Sequence, residues 1–102
     1  MDLQAPIDLE IVNALIAATP DTWNAAEMIV EREQLGEDES MKIVIFSPEG
    51  FRDIVGPTDE IYVGLYKLSD LFGEYGKIWS RVSYAVSMTP EGAWRYKIKF
   101  EY

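Results

Sequence analysis

The chain has no cysteine and no histidine. The first absence excludes disulfides, thiolate nucleophiles and Cys-ligated zinc. The second removes the side chain most used for proton transfer near neutral pH and the commonest metal ligand. Long apolar runs are also missing: the longest, Ala14 to Ala18, is far below the ~18 residues of a membrane span. Met1-Asp2-Leu3-Gln4 lacks the positive start of a secretory signal. Bases are scarce, 9 Lys and Arg against 18 Asp and Glu, for a net charge of −9. Such a surface repels nucleic acid and anionic membrane and attracts a basic partner. These absences predict a soluble cytoplasmic protein without catalytic activity, metal or cofactor.

What is present is a folding chain. Its 102 residues suit one domain, 1–102, with a single modest core, and 48% apolar with 13% aromatic residues is enough to build it. The charge is divided unevenly. Residues 1–76 hold 16 acids and 4 bases, whereas 77–102 hold 2 acids and 5 bases.

The clearest pattern lies at the end of the chain. Val82, Tyr84, Val86 and Met88 alternate with Arg81, Ser83, Ala85 and Ser87; Trp94, Tyr96, Ile98, Phe100 and Tyr102 alternate with Arg95, Lys97, Lys99 and Glu101. Period two is what a strand needs to bury one face and wet the other. Thr89-Pro90-Glu91-Gly92 between the two runs has the chemistry of a hairpin turn. Upstream, Ile7, Ile11, Leu15 and Ala18 predict a helix over 7–18, started by Pro6 with Asp8 and Glu10 favoured by its dipole, and ended by Thr19-Pro20. Ile61, Leu65, Leu68, Phe72 and Tyr75 predict a second helix over 59–75, capped by Thr58 or Asp59. Between them, strands are expected over 23–33 and 41–47, with a short third strand over 51–55. Leu35-Gly36-Glu37-Asp38-Glu39-Ser40 reads as an acidic turn between the first two. The expected fold is α+β: two layers, a four- to five-stranded antiparallel sheet with two helices packed on one face. Its core should take Val82, Tyr84, Val86, Trp94, Tyr96, Ile98 and Phe100.

Trp79, the run Val82-Ser83-Tyr84-Ala85-Val86, then Gly92, Trp94, Ile98, Phe100 and Tyr102 resemble the closing hairpin of the YezG-like immunity proteins. The likeness is tight over 79–102 and architectural over 1–78. It implies a small cytoplasmic antitoxin that binds the toxic domain of a secreted effector, often a nuclease. It brings no catalytic residues to carry over.

The partner surface expected from charge is the acidic middle of the chain. Glu31, Glu33, Glu37, Asp38 and Glu39 form one cluster, and Glu49, Asp53, Asp59 and Glu60 a second patch; residues 31–60 carry 9 acids against 3 bases. Carboxylates there could stand in for the phosphates that a basic nuclease cleft holds. A solvated loop is the plain alternative. Asp38 with Glu39, or Asp53 with Asp59 and Glu60, could ligate a hard cation, but no EF-hand spacing accompanies them. Base stacking on Trp94, Tyr96, Phe100 and Tyr102 is disfavoured, because the cations lie on the other face. Those cations, Arg81, Arg95, Lys97 and Lys99, are expected to pair with Glu27, Glu31 and Glu33 across the sheet. A different role, a small non-catalytic regulatory or assembly subunit of another cytoplasmic protein, fits the same composition. An open sheet edge would also allow a homodimer.

Overall fold

The computed structural model describes residues 4–35, 38–74, 76 and 79–101. The elements run α1 (Gln4–Ala18), β1 (Ala25–Leu35), β2 (Asp38–Phe46), α2 (Asp59–Glu74), β3 (Arg81–Met88) and β4 (Trp94–Glu101). The strands form one antiparallel sheet in the order β2-β1-β3-β4. Both helices lie on one face of it: Asp8 of α1 accepts a bond from Tyr84 of β3, and Phe72 of α2 stacks on Phe100 of β4 at 5.2 Å. The fold is the expected two-layer α+β arrangement. No helix among the described residues is long and apolar enough to cross a membrane.

The helices form where the apolar spacing puts them. Ile11, Val12 and Leu15 of α1 and Ile61, Leu65, Leu68 and Phe72 of α2 are buried against the sheet and one another. α1 ends as Thr19 donates its hydroxyl to the Leu15 carbonyl at 2.7 Å, just before Pro20. Thr58, not Asp59, caps α2: its hydroxyl accepts the Ile61 N–H at 3.4 Å. The helices cross closely at Gly64, where an added Cβ would stand 2.6 Å from Ile11 Cγ1.

Alternation fixes the inner face of the sheet. Ala26, Met28 and Val30 of β1 and Val82, Tyr84 and Val86 of β3 are buried, and the register sets Met28 beside Tyr84 and Val30 beside Val82. The β3–β4 turn needs Gly92, whose φ of 85° lies in the left-handed region.

Three expectations change. Tyr96 is 49% exposed, so it does not join the core, while Trp94, Ile98 and Phe100 are only partly buried. β4 is an edge strand, and its inner face is less covered than that of β3. The segment 51–55 is not a strand; Val55 makes one isolated bridge to Ile45, and Ile54 is fully exposed. Asp38, Glu39 and Ser40, read as turn residues, begin β2 opposite Leu35, Gln34 and Glu33. Cross-strand pairing outweighs their turn propensity. Tyr75 and Tyr102 lie outside the described residues.

Candidate functional site

The acidic middle of the chain separates into three settings. The first is a two-stranded ribbon. The β1–β3 ladder ends at Glu31↔Arg81, followed by one bond from the Arg32 N–H to the Ser80 carbonyl at 2.9 Å. Beyond it Glu33–Leu35 pair with Asp38–Ser40. The ribbon thus extends past β3 by three residues, about 10 Å at ~3.3 Å each. Residues 33–41 include Glu33, Glu37, Asp38 and Glu39 and no base. Glu37 lies outside the described residues, as do the side chains of 33–39.

Glu31 belongs to the sheet body. It sits in register with Lys42 on one side and Arg81 on the other, and Arg81 faces Glu101, so charges alternate in sign across all four strands. The register thus brings Arg81 of the expected cations opposite Glu31, without closing an ion pair within 4 Å. Lys97 is separated from Glu27 by Ala85, and Lys99 and Arg95 face Ser83 and Ser87. Among the described residues the ion pair closer than 4 Å joins the helices instead, Lys67 Nζ to Glu10 Oε1 at 3.0 Å.

The expected second patch does a different job. Glu49 Oε1 accepts the Asn24 N–H at 2.9 Å, and Asp53 Oδ2 accepts the Trp23 indole N–H at 3.0 Å. Phe51 stacks on Trp23 with centroids 6.5 Å apart. Together with the Val55–Ile45 bridge these contacts pin the segment between β2 and α2 to the start of β1. Asp59 and Glu60 occupy the first turn of α2, where the helix dipole favours them. Among the described residues no three carboxylates converge as a metal-ligand group.

One polar pair was not foreseen. Asp8, expected where the helix dipole favours an anion, is only 9% exposed and faces the sheet. Its Oδ1 accepts the Tyr84 hydroxyl at 2.9 Å and its Oδ2 accepts the Gln4 amide at 3.2 Å. Burial pushes the Asp8 carboxyl above its ordinary range, with the two hydrogen bonds opposing. Burial also raises the Tyr84 phenol far above its usual value, aided by the neighbouring carboxylate. The signal was present in the spacing: Asp8, Val12 and Leu15 share one helical stripe. A buried carboxylate joined to a buried phenol anchors α1 to the middle of β3.

The outer face of the sheet is the remaining surface of note. Val44 and Phe46 are exposed there, beside Ile29 and Ala85. A hollow of about 440 Å³ is bounded by Ala25, Glu27, Pro48, Ala85, Arg95 and Lys97. Arg81, Arg95, Lys97 and Lys99 make this the cationic side of an acidic protein.

No protein-family model matches the sequence. No curated protein matches it either. The resemblance to YezG-like immunity proteins rests on the residues of the closing hairpin named above.

Proposed function

We propose that this chain is a non-catalytic binding protein of the immunity kind, which captures the toxic domain of a basic effector through the acidic end of its β1–β2 ribbon. The observation that carries the reading is the overhang: residues 33–35 and 38–40 pair in a ribbon that outruns β3, within a stretch of sequence, 33–41, that holds four acids and no base. Like charges held together there cost the free protein stability, and a cationic cleft relieves that cost. A nuclease cleft is positive because it holds phosphates, and the attraction acts over about 8 Å at physiological salt. Glu31 forms the inner margin of this surface. Glu49, Asp53, Asp59 and Glu60 contribute to the long-range field and not to the contact itself.

The test is co-expression with the product of an adjacent toxin gene, followed by stopped-flow association at low and high salt. Reversing Glu37, Asp38 and Glu39 to lysine should slow association at low salt and flatten its salt dependence, while leaving the fold intact. A triple reversal that associates as fast as the native chain at low salt would remove the ribbon from the contact. Stable association with an abundant metabolic enzyme in place of a toxin would favour the regulatory-subunit reading.

A further inference from the structure

We infer that the free edge of β4 takes up an extended acidic segment of another protein as an added antiparallel or parallel strand. This surface is distinct from the ribbon and does not depend on the toxin reading. The backbone geometry comes first. Thr89 donates its N–H to the Ala93 carbonyl at 2.7 Å, and Met88 donates to Asn24 on the opposite side at 2.7 Å. Those two bonds set the parity of the hairpin. In an antiparallel pair the bonded positions alternate. Arg95, Lys97 and Lys99, which face Ser87, Ala85 and Ser83, therefore bond toward β3. Trp94, Tyr96 and Ile98 turn their N–H and C=O groups toward the open side. Among the described residues no strand pairs with that side.

The side chains then select what can dock. Arg95, Lys97 and Lys99 all lie exposed on the outer face of the edge. None makes an ion pair among the described residues. On the other face Tyr96 is half exposed and Trp94 and Ile98 are partly so. An incoming strand meets cations on one face and incompletely covered apolar groups on the other. The matching chemistry is alternating carboxylate and apolar residues. Lysines on an edge commonly guard against self-pairing, and here two β4 edges would bring six cations together. The same charges favour an acidic strand, so one feature excludes a second copy and admits the partner. The main-chain bonds supply affinity and the alternation supplies specificity.

The probe is an acetylated, amidated decapeptide alternating glutamate and valine. Its controls are the lysine–valine equivalent, a version N-methylated at alternate positions, and an oligothymidylate of ten nucleotides. Amide exchange followed by NMR reads the edge directly. The glutamate–valine peptide should slow exchange at the Tyr96 and Ile98 amides at least tenfold, and the N-methylated version should not. Lys97→Glu with Lys99→Glu, both exposed, should keep the melting temperature, weaken the acidic peptide by about tenfold and admit the lysine peptide. Absence of protection at saturating acidic peptide overturns the proposal. So does equal binding by the folded double variant. Protection by the oligonucleotide in preference to the peptide would assign this face to nucleic acid and overturn it as well.

Discussion

Gly64→Ala separates helix propensity from packing at the crossing of α1 and α2. In an open helix the change should stabilise, because alanine is favoured over glycine by roughly 0.8–1 kcal/mol. Here the new Cβ would stand 2.6 Å from Ile11 Cγ1 and 3.8 Å from Ile11 Cα. Ile11 is completely buried, so it cannot swing into solvent to make room. Overpacking of this kind costs about 1–3 kcal/mol, which exceeds the propensity gain. The expected net loss is about 1 kcal/mol, read by urea denaturation as a lower midpoint at unchanged slope. Gly73→Ala is the internal control, since nothing lies within 4 Å of its added Cβ. Near the end of α2 it should gain a few tenths of a kcal/mol. Ile11→Ala alone should cost about 2–5 kcal/mol. In the Gly64→Ala background it should cost at least about 1 kcal/mol less, because the added methyl fills part of the space. A Gly64→Ala protein as stable as the native one, or additive losses in the double variant, would refute the crossing geometry.

Asp8→Asn keeps an acceptor for the Tyr84 hydroxyl while removing a charge whose carboxyl is held above its ordinary range by burial. A raised folded-state pKa favours folding at low pH, an effect lost as pH rises through that pKa. The variant should therefore be at least as stable as the native chain at pH 7 and show a flatter pH dependence across the carboxylate range; a marked loss at pH 7 would show that the charged form is favoured. Asp53→Ala leaves the Trp23 indole N–H without its 3.0 Å partner and should cost about 1–2 kcal/mol, with faster proteolytic nicking in 47–58; unchanged stability and cleavage would mean the tether is idle. Thr58→Ala should cost only about 0.5 kcal/mol, the low end for an N-cap, because its bond to the Ile61 N–H is long at 3.4 Å; a loss above about 1.5 kcal/mol would indicate a tighter cap.

The closing hairpin was legible because β3 is an interior strand, so its alternation maps directly onto burial at Val82, Tyr84 and Val86. The same pattern overstated β4. Whether Tyr96 is covered depends on how far the helices reach, and period two carries no information about that. Phe51 to Val55 has strand-like composition but is held by side chains, through Asp53 to Trp23 and Glu49 to Asn24, which are 30 and 25 residues apart in sequence. Pairings at such distances leave no local trace. Asp38 to Ser40 fails in the other direction, since residues that favour turns continue a ladder when their opposite neighbours are already in strand. Asp8 had the right spacing, but its charge argued for solvent, and only Tyr84 opposite explains its burial.

Of the nine acids in 31–60, Glu49 and Asp53 hold a loop, Asp59 and Glu60 start a helix, and Glu31 stands between two cations in the sheet. Each of these has an internal reason to be acidic beside any role toward a partner, and all five remain exposed. The remaining concentration is Glu33, Glu37, Asp38 and Glu39, within a base-free stretch. Of these, Glu33, Asp38 and Glu39 lie at the end of the sheet where Arg81 meets Glu101, opposite the Pro90–Gly92 turn. Arg95 and Lys97 lie toward that other end, on the last strand of the sheet. Acid and base thus occupy separate ends and edges of one sheet, and do not neutralise each other as its cross-strand neighbours could have done. A partner of uniform charge can be attracted by only one of the two surfaces. It follows that any ligand engaging both must itself be divided, with a cationic cleft for the ribbon and an acidic extended segment for β4.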